Sequence, residues 1–109
     1  MVHLPLTEIT LAGVQHLQNW LAENGYSCSA PDIWQTGTAD IKAESNQEHI
    51  LIQVKTVLYP NDHILLNATD RFALRDIAER LDRIPYVAYL AIDNDKKLVG
   101  EIVWQRLMI

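Results

Sequence analysis

The sequence predicts one small α/β domain, and three observations support that prediction. The chain has 109 residues, of which 49% are apolar and 21% charged, which is the size and composition of one ordinary globular core. Two stretches repeat their apolar residues at helical spacing, one near the beginning of the chain and one after its middle. Several runs of strand length lie between and after them, so we expect strands and helices to share one core.

The first helix is expected over residues 8–24. Its apolar positions, spaced three or four residues apart, are Leu11, Val14, Leu17 and Leu21. Thr7 has a side-chain oxygen that can cap the N-terminus of this helix. Gly25 can adopt the left-handed conformation with which many helices end.

Two strands are expected to follow the first helix. Residues 26–34 contain Pro31, which lacks a backbone donor, so this segment is predicted to be an irregular or edge strand. Gly37 opens the second strand, which covers 38–43. The polar residues 44–48 then form a turn, which predicts a hairpin with the strand that follows.

A third strand is expected over residues 49–57. Successive side chains of a strand point to opposite faces of the sheet. The first face therefore carries Ile50, Ile52 and Val54, and the second carries Leu51, Gln53 and Lys55.

The second helix is expected to begin after Asn67 or Thr69, either of which can cap it, and to end before Pro85. Its apolar stripe consists of Leu74, Ile77, Ala78 and Leu81. Residues 86–92 form a nearly continuous apolar run, which is typical of a central strand covered on both faces. A last strand is expected over 98–104.

The hairpin brings three polar residues together. Asp40 lies near the middle of one strand, while Gln53 and Lys55 project from one face of its neighbour. Polar groups in a strand otherwise made of Ile, Leu and Val carry a desolvation cost, so their presence needs a reason, and a function is one such reason. The alternative is a solvated face, which is common in antiparallel sheets, and the chain would then be an unrelated α/β binding module.

The segments GTADIKA (37–43) and ILIQVKT (50–56) resemble the paired-strand motif of the PD-(D/E)XK nucleases, which include Holliday junction resolvases and many restriction endonucleases. Gly25 and Tyr26 also match, because a helix ending in Gly-Tyr or Gly-Phe precedes the hairpin in that superfamily. The resemblance implies a restriction-endonuclease-like fold, with an αβββαβ core and a mixed central sheet flanked by two helices. It implies hydrolysis of DNA phosphodiester bonds with Mg²⁺ or Mn²⁺ as the cofactor.

The same resemblance assigns roles to residues. Asp40 would be a metal ligand, Gln53 and the carbonyl of Val54 would complete the metal site, and Lys55 would orient or activate the attacking water. Gln53 stands where the family usually has an acid, and Val14 stands where resolvase-like members have a helix glutamate.

Two acids elsewhere are candidates for the missing carboxylate. Glu8 lies earlier in the first helix and Asp32 lies in the preceding strand. The departures from the motif leave open a second interpretation, in which a catalytically inactive domain of this fold binds DNA or a protein partner.

Basic residues and histidines give weaker indications. Arg71 and Arg75 fall one helical turn apart and could grip DNA phosphates, although Arg75 and Arg83 are also spaced to form ion pairs with Glu79. The formal net charge of −5 argues against a dedicated high-affinity nucleic-acid binder. The four histidines lack metal-ligand spacing, so no histidine metal site is expected.

Several further classes of protein are disfavoured. The chain lacks an apolar run long enough to span a membrane and the layout of a signal peptide, so a cytoplasmic protein without membrane association is expected. The single Cys28 fits a reducing compartment. No organic cofactor is expected. A homodimer is a further hypothesis, because the apolar C-terminal residues 107–109 would suit a contact between copies.

Overall fold

The computed structural model describes residues 4–33, 38–63 and 65–107. Within these residues the helices and strands are α1 (Leu6–Glu23), β1 (Ser27–Cys28), β2 (Asp32–Ile33), β3 (Thr38–Glu44), β4 (His49–Leu58), α2 (Ala68–Arg80), β5 (Ile84–Ile92) and β6 (Val103–Arg106). The strands form one sheet with the order β1-β3-β4-β5-β6, and β2 pairs with β3. Two expected features, Trp34 and Gly37, lie outside the described residues.

The sheet is mixed. β3 and β4 form the predicted antiparallel hairpin, β4 and β5 run parallel with α2 as their crossover, and β6 returns antiparallel to β5. The prediction of an α/β fold with a mixed sheet and two helices is therefore confirmed. β4 and β5 are both flanked by strands, which agrees with the apolar character expected of 86–92.

Each helix covers one face of the sheet. On the α1 face, Leu17 and Leu21 pack against Ile41, Ile52 and other buried strand residues. The opposite face holds a smaller cluster that α2 joins through two of its residues, and this cluster consists of Leu51, Leu66, Leu74, Ala78, Val87, Tyr89 and Leu107. The period-two alternation predicted for β4 therefore separates two cores.

The ends of α1 agree only in part with the sequence. The residue before the helix is Pro5, and no side chain caps the first turn, so Thr7 lies inside the helix and the cap assigned to it is wrong. Gly25 has φ +85°, as expected for a glycine that ends a helix.

In α2, Asn67 is the N-cap. Its side-chain oxygen accepts from the backbone N–H of Asp70 at 2.8 Å, which confirms one of the two caps considered. The helix ends at Arg80 rather than at Pro85, because Asp82 adopts φ +55° and the next residue, Arg83, donates its N–H to the carbonyl of Ala78. Pro85 consequently lies inside a strand.

The outer strands differ from the expectation. The predicted strand over 26–34 divides into the two-residue strands β1 and β2, with Pro31 between them. The expected strand over 98–104 is represented by a single bridge at Leu98 and by β6, which begins five residues later.

The approach of α1 to β4 depends on Gly13. A methyl group built on this residue would lie 1.8 Å from the side-chain oxygen of Thr56. The neighbouring atoms belong to a buried β-branched side chain of β4, which has little freedom to move aside.

Gly13→Ala should therefore lower the free energy of unfolding by about 1–3 kcal/mol, the usual cost of overpacking, although alanine favours helices. Urea unfolding followed by circular dichroism measures the change. Asn19→Ala is the control, since Asn19 is exposed on the same helix. Equal stability of Gly13→Ala and the wild type would show that the close approach is not required.

Arg83 joins the α2 end to the hairpin. Its guanidinium lies 2.6 Å from the carboxylate of Glu44 and donates to the carbonyls of Ala43 and Ile50 at 3.3 Å. The sequence had suggested Glu79 as its partner, and that pairing is replaced by one between distant segments. The hydrogen bond from Arg83 is the main cause that lowers the pKa of Glu44, with a further contribution from His49.

A lowered pKa in the folded state means that the contribution of Glu44 to stability is present above its unfolded pKa and is lost as the pH falls through its folded pKa. Glu44→Gln should therefore be less stable than the wild type at neutral pH. The two proteins should converge as the pH falls below about 4. Urea midpoints across pH 3–7 measure the difference, and a gap that stays constant over this range would contradict the assignment.

The position of the C-terminal residues bears on the hypothesis of a homodimer. Leu107 is 5% exposed and belongs to the core cluster under α2, so it is not available for a contact between copies. Residues 108 and 109 lie outside the described residues. Among the described helices, neither is long and apolar enough to cross a membrane.

Candidate functional site

Three predicted site residues form a row across the sheet. Asp40 of β3 is the direct partner of Gln53 in β4, and on its other side it is the partner of Asp32 in β2. Directly opposed residues of antiparallel strands present their side chains on one face, with Cβ atoms roughly 4.5–5.5 Å apart. The sheet therefore aligns an acid, an acid and an amide on the face that α2 covers.

Lys55 lies in the next row of the same face. It follows Gln53 by two residues on β4 and is paired with Thr38 of β3 and Tyr89 of β5. Its side chain is half-buried. Lys55 therefore lies beside the acids and the amide on the sheet itself, and no loop is needed to position it.

The local sequence explains this placement. The residues between the site residues, such as Ala39, Ile41 and Val54, are buried under α1 and fix which face each neighbour uses. Val54 directs its side chain into that core, so only its backbone can contribute to the site. A shift of the hairpin by one residue would expose the core and move Asp40 to the wrong face.

Burial makes the side-chain oxygen of Gln53 costly. Oδ1 of Asp40 and Oε1 of Gln53 are both shielded from solvent. Oε1 of Gln53 accepts no hydrogen bond from the residues that the structure describes. A shielded amide oxygen without a donor costs roughly 1–3 kcal/mol, so the fold retains Gln53 at some expense to stability.

The two candidates for the accessory acid differ in position. Asp32 shares the row of Asp40. Glu8 lies in the first turn of α1, which packs on the opposite face, and its carboxylate is 3.6 Å from the ammonium of Lys96. Val14, where an acid would be expected from the resemblance, is 3% exposed within the α1 core. The geometry favours Asp32.

His63 enters the neighbourhood of the site although its spacing gave no reason to expect it. Its ring lies edge-on to that of Tyr89, with centroids 5.4 Å apart, and Tyr89 is the strand partner of Lys55. Burial lowers the pKa of His63, against a smaller opposing effect of Asp62. The imidazole is therefore neutral at neutral pH. No sequence motif relates His63 to Lys55, because His63 reaches the sheet through a loop and not through a helix or a strand.

The arginines of α2 lie on the side of the sheet that carries the site. Arg71 is exposed, and the guanidinium of Arg75 lies 5.7 Å from the ring centroid of the exposed Phe72. The described residues show Arg80 paired with Asp76 at 2.8 Å instead of the ion pair suggested for Arg75.

The donor set consists of oxygen atoms, which are the ligands that Mg²⁺ and Mn²⁺ prefer. Asp32 and Asp40 supply carboxylates and Gln53 supplies an amide oxygen already shielded from water. In residues 4–33, 38–63 and 65–107 no group of three or more His, Cys, Asp or Glu is placed to hold a metal ion. A divalent ion would thus depend on two carboxylates, the amide and water.

The cost of burying Gln53 can be measured. Gln53→Leu should raise the free energy of unfolding by about 1–2 kcal/mol, because it removes a shielded oxygen that lacks a donor and adds apolar contact.

The matched control is Gln105→Leu on β6. Oε1 of Gln105 accepts from the hydroxyl of Tyr89 at 3.0 Å, so this change should instead cost about 0.5–1.5 kcal/mol. Urea unfolding of both variants gives the comparison. Destabilisation by Gln53→Leu would show that Gln53 supports the fold rather than a function.

No family model matches the chain, and no curated protein matches it significantly.

Proposed function

We propose that the chain is a metal-dependent endonuclease that hydrolyses DNA phosphodiester bonds, with the PD-(D/E)XK type of site and the fold that accompanies it. The observation that supports this most directly is the strand register, which aligns Asp32, Asp40 and Gln53 beside Lys55 on one face. The motif resemblance used only Asp40, Gln53 and Lys55. The position of Asp32 adds support, because its strand pairing brings a second carboxylate beside Asp40.

Each side chain has a distinct role in this proposal. Asp40 and Asp32 would hold the cation through their carboxylates, with the shielded oxygen of Gln53 and the carbonyl of Val54 as further ligands. A bound Mg²⁺ or Mn²⁺ would supply Lewis-acid stabilisation of the charge that develops on the phosphate. Lys55 orients the attacking water and offsets negative charge at the scissile phosphate. Arg71 and Arg75 are the proposed contacts to the DNA backbone.

A second candidate function rests on a separate observation. The described residues offer only a pair of neighbouring carboxylates, and the net charge of −5 opposes a polyanion. The small number of carboxylates favours a domain of the same type that binds DNA or a protein partner without cutting, and the net charge favours the protein partner over DNA.

The test is cleavage of plasmid, linear and four-way-junction DNA with Mg²⁺ or Mn²⁺. Lys55→Ala and Asp40→Asn should each reduce the rate by about 10²-fold or more, the usual effect of losing a charge-stabilising group. Lys97→Ala is the control, because it removes the same charge from a residue in the exposed turn that follows β5. Cleavage should also stop when EDTA removes the metal.

Binding separates the two candidates. Electrophoretic mobility shifts with Ca²⁺ in place of Mg²⁺ measure retention on DNA when cutting is suppressed. Retention without cutting under any metal would favour the non-cutting domain. Cutting that survives both site substitutions would overturn the assigned site. Absence of both cutting and retention would exclude DNA as the ligand and leave two interpretations, a domain that binds a protein partner or a fold in which Asp40, Gln53 and Lys55 are surface residues without a function.

A further inference from the structure

The face of the sheet opposite Asp40 and Gln53 carries an aromatic cleft that the proposed nuclease function does not use. The cleft has a volume of about 200 Å³ and is lined by Trp20, Tyr26, Glu48, Ile50, Tyr86 and Trp104. The four aromatic side chains pack against the α1 core and are half-buried, so the cleft that they line is open to solvent.

Aromatic rings line the cleft on several sides. Trp20 of α1 and Trp104 of β6 have centroids 5.0 Å apart and are tilted by 50°. Tyr86 of β5 meets Trp104 nearly at a right angle, with centroids 6.0 Å apart. Such an arrangement presents ring faces in more than one direction, and ring faces attract cations, those of tryptophan most strongly.

A carboxylate lies at the cleft and is held in place. The hydroxyl of Tyr26 donates to Oε1 of Glu48 at 2.5 Å. This hydrogen bond, followed by burial, raises the pKa of Tyr26 to about 12, so the hydroxyl remains a donor throughout the physiological range. Within the described residues the second oxygen of Glu48 accepts no hydrogen bond, and Glu48 is among the residues that line the cleft.

An adjoining cleft of about 630 Å³ shares the walls formed by Trp20 and Trp104. It adds two further acids, Glu23 and Glu101. Lys96, in the turn that follows β5, is not among the lining residues, and its ammonium lies 3.6 Å from the carboxylate of Glu8. The Asp, Glu, Lys and Arg residues that line the two clefts are Glu23, Glu48 and Glu101, so the formal charge of the lining is negative, which favours a basic ligand over nucleic acid.

We propose that this aromatic cleft binds the guanidinium group of an arginine carried by a basic segment of a partner protein, with Glu48 as its counter-ion. The volume suits one side-chain head group, since clefts for larger organic ligands usually measure about 300–1,000 Å³. The next basic residues of the segment lie along the adjoining cleft, opposite Glu23 and Glu101.

One of the chain's own residues illustrates this chemistry. The guanidinium of Arg106 lies 6.0 Å from the ring centroid of Tyr86, at the outer limit of a cation–π contact. Arg106 is exposed and is not among the residues that line the aromatic cleft. The wall of the cleft therefore already accepts a guanidinium on one side. The planar guanidinium stacks on aromatic rings and pairs with a carboxylate through two parallel hydrogen bonds, which an ammonium group does not do.

The test is a titration of the ¹⁵N-labelled protein with a capped peptide of alternating arginine and glycine, followed by NMR. The indole N–H resonances of Trp20 and Trp104 should shift saturably. A peptide of equal length with citrulline in place of arginine, which keeps the shape but not the charge, should cause no saturable shift.

Glu48→Gln should weaken binding by about tenfold, because a hydrogen bond to a charged group becomes one to a neutral amide. Glu79→Gln, on the exposed face of α2, makes the same change in net charge outside the cleft and should leave the affinity unchanged. Far-UV circular dichroism confirms that both variants fold.

Three results would overturn the proposal. These are equal binding of the citrulline peptide, equal affinity of the two glutamate variants, and indole shifts that occur with a single-stranded oligonucleotide but not with the arginine peptide. The last result would make the cleft a base-stacking surface instead. Lys55→Ala changes the face of the sheet that α2 covers and not the face that carries the cleft. Peptide binding by this variant therefore tests the cleft proposal independently of the nuclease proposal.

Discussion

The pairing of β3 with β4 is the constraint on which the other features of the molecule depend. Its register places every second residue of both strands under α1 and the remaining residues on the α2 side. The apolar residues that pack under α1 therefore fix the positions of the polar residues on the other face. The hydrophobic energy of the α1 core prevents the register from slipping, and the same energy holds Asp40 opposite Gln53. Core and candidate site are consequently products of a single alternation.

The parts of the fold that the sequence predicts well are those governed by strong local periodicity. Most of the α1 stripe, the β3–β4 hairpin and the apolar run in β5 need only spacing and side-chain type. The exception in the stripe is Leu11, which is exposed. The parts that it predicts poorly depend on tertiary contacts. Asp82 ends α2 in a conformation more usual for glycine or asparagine, and Pro85 is tolerated as the second residue of a strand. Neither choice is visible in a local pattern.

The candidate site shows the same division. Asp40, Gln53 and Lys55 could be grouped from the sequence because they lie on neighbouring strands of a short hairpin. The position of Asp32 could not be separated from that of Glu8, because the choice depends on how a two-residue strand docks on the edge of β3. His63 was missed for a related reason, since a loop outside the periodic elements returns it to Tyr89.

The shortness of β2 has a consequence for how the proposed site would assemble. Asp32 belongs to a strand of two exposed residues at the margin of the sheet, where few backbone hydrogen bonds oppose its departure. Like charges on directly opposed residues disfavour the pairing of two strands, and Asp32 and Asp40 are directly opposed. A cation shared by both carboxylates would reverse the sign of that interaction. Binding of the ion and pairing of β2 with β3 would then be thermodynamically coupled. The ion would stabilise this edge of the sheet in addition to its role in catalysis.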